Sequence, residues 1–232
     1  MQFPTASQFL SASDLEAGAV TDTSADDGVR SGLYQSVFKR VIDVSLVLLA
    51  APVVVPVVGV FAFMVSRDGA SPFYWDRRVG LGGKKFRMMK LRTMVPRANI
   101  KLRKYLEENP AAAAEWERNQ KLAEDPRITP LGQLLRKTSI DELPQLWNVL
   151  RGDMSIVGPR PMMPKQVKLY PGEDYFELRP GLTGPWQVSD RHTSAFSKRA
   201  EFDADYRREM SLATDVKLIA RTVTVVLRGT GC

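Results

Sequence analysis

Val44 to Val65 reads VSLVLLAAPVVVPVVGVFAFMV, 22 consecutive residues without a charge. At a helical rise of about 1.5 Å per residue the run reaches roughly 33 Å, enough to cross the hydrocarbon core of a bilayer. A soluble domain rarely commits so long an apolar run to one helix. Pro52 and Pro56 each remove a backbone donor and crowd the preceding turn, so a bent element is predicted rather than a straight rod. Outward from the run, Lys39 and Arg40 precede it, and Arg67 to Lys104 carries 12 Lys or Arg against Asp68 and Asp76. If basic residues mark the cytoplasmic side, both flanks belong there. A helix that enters, bends at proline and returns satisfies both. A straight span leaves one flank outside, and a buried soluble helix is the third reading. Residues 34–66 are therefore read first as a re-entrant membrane helix. Asp43, beside Arg40, is expected to pair locally or cap the chain, because an isolated carboxylate in hydrocarbon is costly.

Residues 1–33 mix Ser, Thr, Ala and Gly with five acidic residues and no sustained period, the composition of a disordered tail. The segment begins polar and is not a secretory signal. Over all 232 residues, 33 Lys and Arg against 26 Asp and Glu give a net charge of +7, which suggests an anionic partner. A single cysteine, Cys232, excludes an intrachain disulfide framework and a thiolate metal cluster. A single histidine, His192, excludes a histidine metal cluster or a serine–histidine triad within one subunit.

Residues 67–232 form the remaining unit, expected to be a compact α/β catalytic domain dominated by helices. Ser71 to Arg78 interleaves aromatics and cations, as at a lipid headgroup layer. Val79 to Met94 reads as a glycine turn followed by a short amphipathic strand, and it fits neither GxxxxGK[ST] nor GxGxxG. Ile100 to Leu122 suits solvent-facing helices broken near Asn109-Pro110. Leu212 to Arg228 has apolar residues at mostly helical spacing, fitting an amphipathic helix along a membrane or packed on the domain. Asp203 and Asp205 are expected on a charged helix face, and Trp186 in packing.

The stretch richest in chemistry is Leu135-Arg136-Lys137-Thr138-Ser139-Ile140-Asp141-Glu142-Leu143-Pro144-Gln145 and onward to Asp153. Leu143, Leu146, Trp147 and Leu150 fall at helical intervals, so a helix is predicted to begin near Asp141. Helix capping by Asp141 or by Ser139 explains the carboxylates without catalysis. The functional reading notes that Arg136, Lys137, Arg151 and Arg160 crowd the same neighbourhood. A carboxylate nucleophile working on a diphosphate needs such cations, and a divalent metal can serve the leaving group.

LRKTSIDELPQLWNVLRGDMSIVGPRP, followed by LRPGLTGPWQVSDR, closely resembles the bacterial sugar transferase family of monotopic polyprenyl-phosphate phosphoglycosyl transferases, especially its exopolysaccharide-initiating galactosyl members. The resemblance runs from about Phe38 to Gly231. It implies transfer of a sugar-1-phosphate from a UDP-sugar to undecaprenyl phosphate, with UMP released, at the cytoplasmic face of a bacterial inner membrane. It implies that Asp141 is the nucleophile forming a covalent phospho-sugar intermediate. Glu142 is its dyad partner, both lie in the Mg2+ environment, and Arg136 belongs to the catalytic motif. Asp125, Arg127, Arg160 and Arg191 match other family motifs and are expected in phosphate and nucleotide contacts or in holding the site together. Pro56 matches the family's helix-breaking proline, and Pro52 adds a second break. Membrane phospholipid is an implied partner, with a second copy of the chain or downstream glycosyltransferases as further candidates. Two rival classes stand beside this reading. One is a catalytically silent membrane-surface scaffold. The other is a basic nucleic-acid binder, which no motif supports.

Overall fold

The computed structural model describes residues 34–189 and 196–227. The apolar run lies in helix α1, Lys39–Ser66, whose 28 residues continue without interruption through Pro52 and Pro56. Lys39, Asp43 and Val47 are its buried residues. Their spacing of four places them on one face of the first turns. Beyond that root the helix is bare: only 6% of its most apolar 18-residue window is buried, and Leu49, Val53, Val55 and Phe63 are exposed. The core helix of a soluble protein shows the opposite. By length and composition α1 is able to cross a membrane.

The root is bound by partners that lie far along the chain. Lys39 Nζ meets the Asp215 carboxylate at 2.5 Å, and both side chains are buried. The Arg40 guanidinium donates to the carbonyls of Val149 and, at 2.7 Å, Leu150. Asp43 accepts the Ile156 N–H at 3.0 Å. The expectation that Asp43 pairs locally or caps the chain gives only part of its surroundings: Lys39, one turn earlier, faces its charge, but the hydrogen bond goes to a backbone group 113 residues away. The other end of α1 is also held: the Arg92 guanidinium bonds the Val65 carbonyl at 3.0 Å, Asp68, and the carbonyls of Ser71 and Met94.

Strands β1 (Phe73–Val79) and β2 (Lys85–Leu91) form an antiparallel hairpin, with Phe73 opposite Leu91 and Val79 opposite Lys85. The aromatics and cations of 71–78 are therefore a strand, and Tyr74 and Trp75 remain exposed on it. Helices α2 (Ala98–Glu108) and α3 (Pro110–Asn119) break at Asn109-Pro110 as predicted, with Pro110 opening the second where its missing N–H costs nothing. Thr129 caps α4 (Pro130–Lys137) by accepting the Gly132 N–H at 2.9 Å. Gly132 must be glycine, because a Cβ there would lie 2.0 Å from the Thr93 carbonyl oxygen.

A 3-10 turn, Ile140–Glu142, leads through Pro144 into α5, Gln145–Arg151. Strands β3 (Ser155–Val157) and β4 (Gly181–Thr183) pair in parallel, and a Cβ on Gly181 would strike the Gly158 nitrogen at 2.1 Å. The short helix α6 (Pro185–Val188), then α7 (Arg199–Glu209) and α8 (Leu212–Leu227), complete the described chain. The core forms three clusters: Val47, Met88, Val149 and Met154 under α1; Val79, Met162, Tyr170 and Tyr175 behind the hairpin; and Val157, Leu178, Tyr206, Met210 and Leu218 beneath α8. The domain is helix-dominated with two small sheets.

Asp203 is not on a charged face. It is buried and accepts the Tyr170 hydroxyl at 2.9 Å, whereas Asp205 pairs with Arg208 on the surface. Burial raises the Asp203 carboxyl to about 7, against the opposing effects of Tyr170 and Arg199. Trp186 packs as expected, edge-on to Phe202. The predicted tail 1–33, His192 and Cys232 lie outside the described residues.

Candidate active site

The sequence around Asp141 folds differently from the predicted cap. Pro144 occupies the position before α5, and Asp141 and Glu142 belong to a separate 3-10 turn entered through Ser139 in a left-handed conformation, φ 57°. No side-chain cap bond forms at Ser139 or at the start of α5. Capping therefore does not account for the two carboxylates. Helical spacing from Leu143 onward is genuine, but the helix starts at Gln145.

Asp141 is buried, and its carboxyl is pushed up to about 6, chiefly by loss of water. Lys90 and Arg136 oppose that rise and Glu142 adds to it. Glu142 accepts Lys90 Nζ at 2.6 Å. Arg136 is aimed by a bond from its Nε to Thr93 Oγ1 at 2.9 Å, and Thr93 is itself tied to Thr129 by a backbone bond of 3.1 Å. One acid with a perturbed ionisation, a second acid neutralised by lysine and a steered arginine meet in one place, the pattern expected of a reactive carboxylate.

Beside it opens a small cleft lined by Arg78, Lys90, Glu142, Gln145, Arg160 and Gln187 among others. Arg199 packs over Trp186 and Phe196, with its guanidinium 5.1 and 4.5 Å from the ring centres. Its pKa falls to about 10 through burial and through the charges of Arg160 and Arg78. Such crowding of guanidinium groups suits phosphoryl oxygens, which they bind in a forked geometry. In the cleft's lining, Gln187 Oε1 and Arg78 Nε are buried without a hydrogen-bond partner in the described structure. These orphaned groups fit a cleft built to hold a polar ligand.

The sequence model of the family described as "Bacterial sugar transferase" matches residues 34–229. This chain belongs to the bacterial sugar transferase family. It is 44% identical over 195 residues to a "UDP-galactose-lipid carrier transferase" of Erwinia amylovora, covering 83% of this chain and 41% of that protein. It is 42% identical over 199 residues to "Exopolysaccharide production protein ExoY" of Sinorhizobium fredii, covering 83% and 87%. It is 42% identical over 203 residues to an "Undecaprenyl-phosphate galactose phosphotransferase" of Salmonella typhimurium, covering 87% and 42%. The chain thus spans about two fifths of the first and third relatives, and most of the second.

Of the expected site residues, Asp141, Glu142 and Arg136 lie together, and Glu142 and Arg160 line the cleft. Asp125 and Arg127 are bound to one another instead, Nε to Oδ1 at 2.8 Å and Nη2 to Oδ2 at 2.5 Å, with the guanidinium 5.2 Å from the Trp116 ring centre. Burial works to raise the Asp125 carboxyl, but the bonds from Arg127 outweigh it and hold the group below its ordinary range. This pair buttresses the site: Val95 N–H bonds the Arg127 carbonyl at 2.9 Å, two residues from Thr93. Arg191 lies outside the described residues. The sequence reading passed over Lys90, Arg78, Gln145 and Gln187. For Lys90 a signal existed, since it shares the alternating face of β2 with Phe86 and Met88, where a lysine needs a reason.

No group of three or more metal-ligating side chains occurs among the described residues. The donor set of Asp141 and Glu142 nonetheless suits Mg2+, which is commonly held by one or two carboxylates and completed by substrate phosphates and water.

Proposed function

We propose that this transferase moves a sugar-1-phosphate, galactose-1-phosphate first, from a UDP-sugar to undecaprenyl phosphate. The step begins exopolysaccharide synthesis at the cytoplasmic face of the bacterial inner membrane. The observation that carries the reading is a buried carboxylate, Asp141, beside the Lys90–Glu142 pair, which itself lines the cleft that holds Arg78 and Arg160. An Asp141 oxygen attacks the sugar-bearing phosphorus, the P–O bond to UMP breaks, and UMP leaves as the anion. A phosphate oxygen of undecaprenyl phosphate then attacks the same phosphorus, releasing the Asp141 carboxylate and forming the lipid-linked diphosphate sugar. Burial leaves Asp141 poorly hydrated, which suits it to attack. Lys90 and Arg136 favour its ionised form, and Arg160 and Arg78 offset phosphate charge. Mg2+ bound by Asp141 and Glu142 would supply charge neutralisation at the diphosphate. Galactose is chosen because two relatives carry it in their names.

A re-entrant α1 is part of the proposal. What supports it is that both ends bond to one domain, the root through Lys39, Arg40 and Asp43 and the far end through Arg92. Tyr74 and Trp75 on β1 and the exposed Leu212, Val216 and Val223 stripe of α8 supply apolar surface for the same leaflet.

The test uses purified protein in nanodiscs with Mg2+ and a panel of UDP-sugars, reading UMP with and without undecaprenyl phosphate. Acceptor-dependent turnover with one sugar, lost in Asp141→Asn, is the expected result. No UMP from any donor, in folded protein, would return the chain to the silent-scaffold reading.

A further inference from the structure

Asn148 is fully buried within α5, a place where the chain gains nothing from an amide unless each of its polar atoms is matched. They are matched. Oδ1 accepts the Met89 N–H at 2.9 Å, and Nδ2 donates to the Arg87 carbonyl at 2.8 Å and to Asp153 Oδ2 at 3.2 Å. The backbone groups of residues 87 and 89 are those that β2 turns away from β1, as alternate residues of an antiparallel pair must. A side-chain amide, with one acceptor and one donor, stands where a third strand would sit.

The residue after Met89 is Lys90, which reaches Glu142. Glu142 lies six residues before Asn148 on the segment that runs straight into α5. The contacts therefore close a ring: Asn148 to Met89, along the strand to Lys90, across to Glu142, and back through α5. A slip of one residue between β2 and α5 turns Lys90 to the opposite face, and a slip of two carries it about 7 Å away. Apolar packing between Met88 and Val149 tolerates sliding, because dispersion has little direction. The paired amide bonds do not.

We propose that Asn148 is a positioning residue for the Asp141–Glu142 site, locking β2 and α5 in the one register that seats Lys90 on Glu142. The proposal rests on the reading that this dyad carries the transfer.

The experiment compares the parent with Asn148→Ala and Asn148→Asp in nanodiscs. It reads kcat and donor KM for UMP release, and separately the acetylation rate of individual lysines by mass spectrometry. Asn148→Ala is expected to lower kcat about 10-fold or more while donor KM stays within about 3-fold, the split that marks lost alignment rather than lost binding. Lys90, released from Glu142, acetylates severalfold faster, while the exposed Lys84 and Lys85 on the same hairpin keep their parental rates. Asn148→Asp keeps the acceptor for Met89 but loses the donors to Arg87 and Asp153 and sets a carboxylate against both, so its kcat falls at least as far as that of alanine; whichever of the two variants folds carries the test. Unchanged Lys90 acetylation in a folded variant overturns the proposal, even if the variant melts earlier, and so does an unchanged kcat. Failure of the underlying reading looks different: Asp141→Asn then turns over like the parent, and the positioning role falls with the dyad. Asp141→Asn inactive beside a fully active Asn148→Ala overturns the positioning role alone.

Discussion

Asp141 keeps its carboxyl out of water, and the consequence runs in opposite directions for folding and for chemistry. Its pKa in the fold, about 6, stands above the ordinary 3.8. The folded state therefore prefers the neutral acid. That preference is fully present below about pH 4 and is lost as pH rises toward and through 6, amounting to roughly 3 kcal/mol across the interval. Attack requires the ionised form, so UMP release is expected to climb through an acidic limb near pH 6. Asp141→Asn has no proton to lose. Its melting temperature in Mg2+-free buffer should gain on the parent between pH 4 and 7, and a pH-independent difference would contradict the burial argument. The residues around this aspartate allow either a cap or a nucleophile, and the family motif implies the nucleophile. A cap is a local bond, whereas the shift comes from burial, with Glu142 adding to it against the opposing charge of Lys90, surroundings that only the folded chain assembles.

Among the elements, α1 shows how a flank that looks like a topology signal becomes a structural joint. Lys39 and Arg40 read as cytoplasmic markers because charge is visible in sequence and partners are not. In the fold, Arg40 binds the last carbonyls of α5, and Arg179 Nε adds a bond to the Gly152 carbonyl at 3.1 Å. These cations sit where a helix presents unpaired carbonyls and its negative end. Arg40→Met should therefore destabilise the detergent-solubilised protein by on the order of 2 kcal/mol, the worth of charged hydrogen bonds to buried acceptors. Arg40→Lys should restore only part, since one ammonium cannot fork across two carbonyls. Arg67→Met, an exposed cation at the other flank, should leave thermal unfolding near the parent. Equal losses from Arg40→Met and Arg67→Met would remove the joint and return both residues to the status of flank charges.

At the scale of the whole molecule, the chain leaves the domain at Val47 and returns to it at Val65. With Cys232→Ser as background, Ser13→Cys and Ala70→Cys should both react with an impermeant maleimide from the cytoplasmic side of inverted vesicles. Labelling of the two from opposite sides would establish a span. The sequence by itself determined the long apolar helix, the helix break at Asn109-Pro110, the glycine turn with the strand after it, the family and the nucleophile candidate. All of these are written in neighbouring residues, through hydrophobic run length, proline chemistry or a contiguous motif. Only the tertiary structure decided that Lys39 pairs with Asp215, that Asp43 holds the Ile156 N–H, that Asp203 is buried and that Asn148 joins α5 to β2. The physical reason is common to them. A buried polar group must be matched by some partner, but nothing local in its sequence says which distant residue the fold will bring to it.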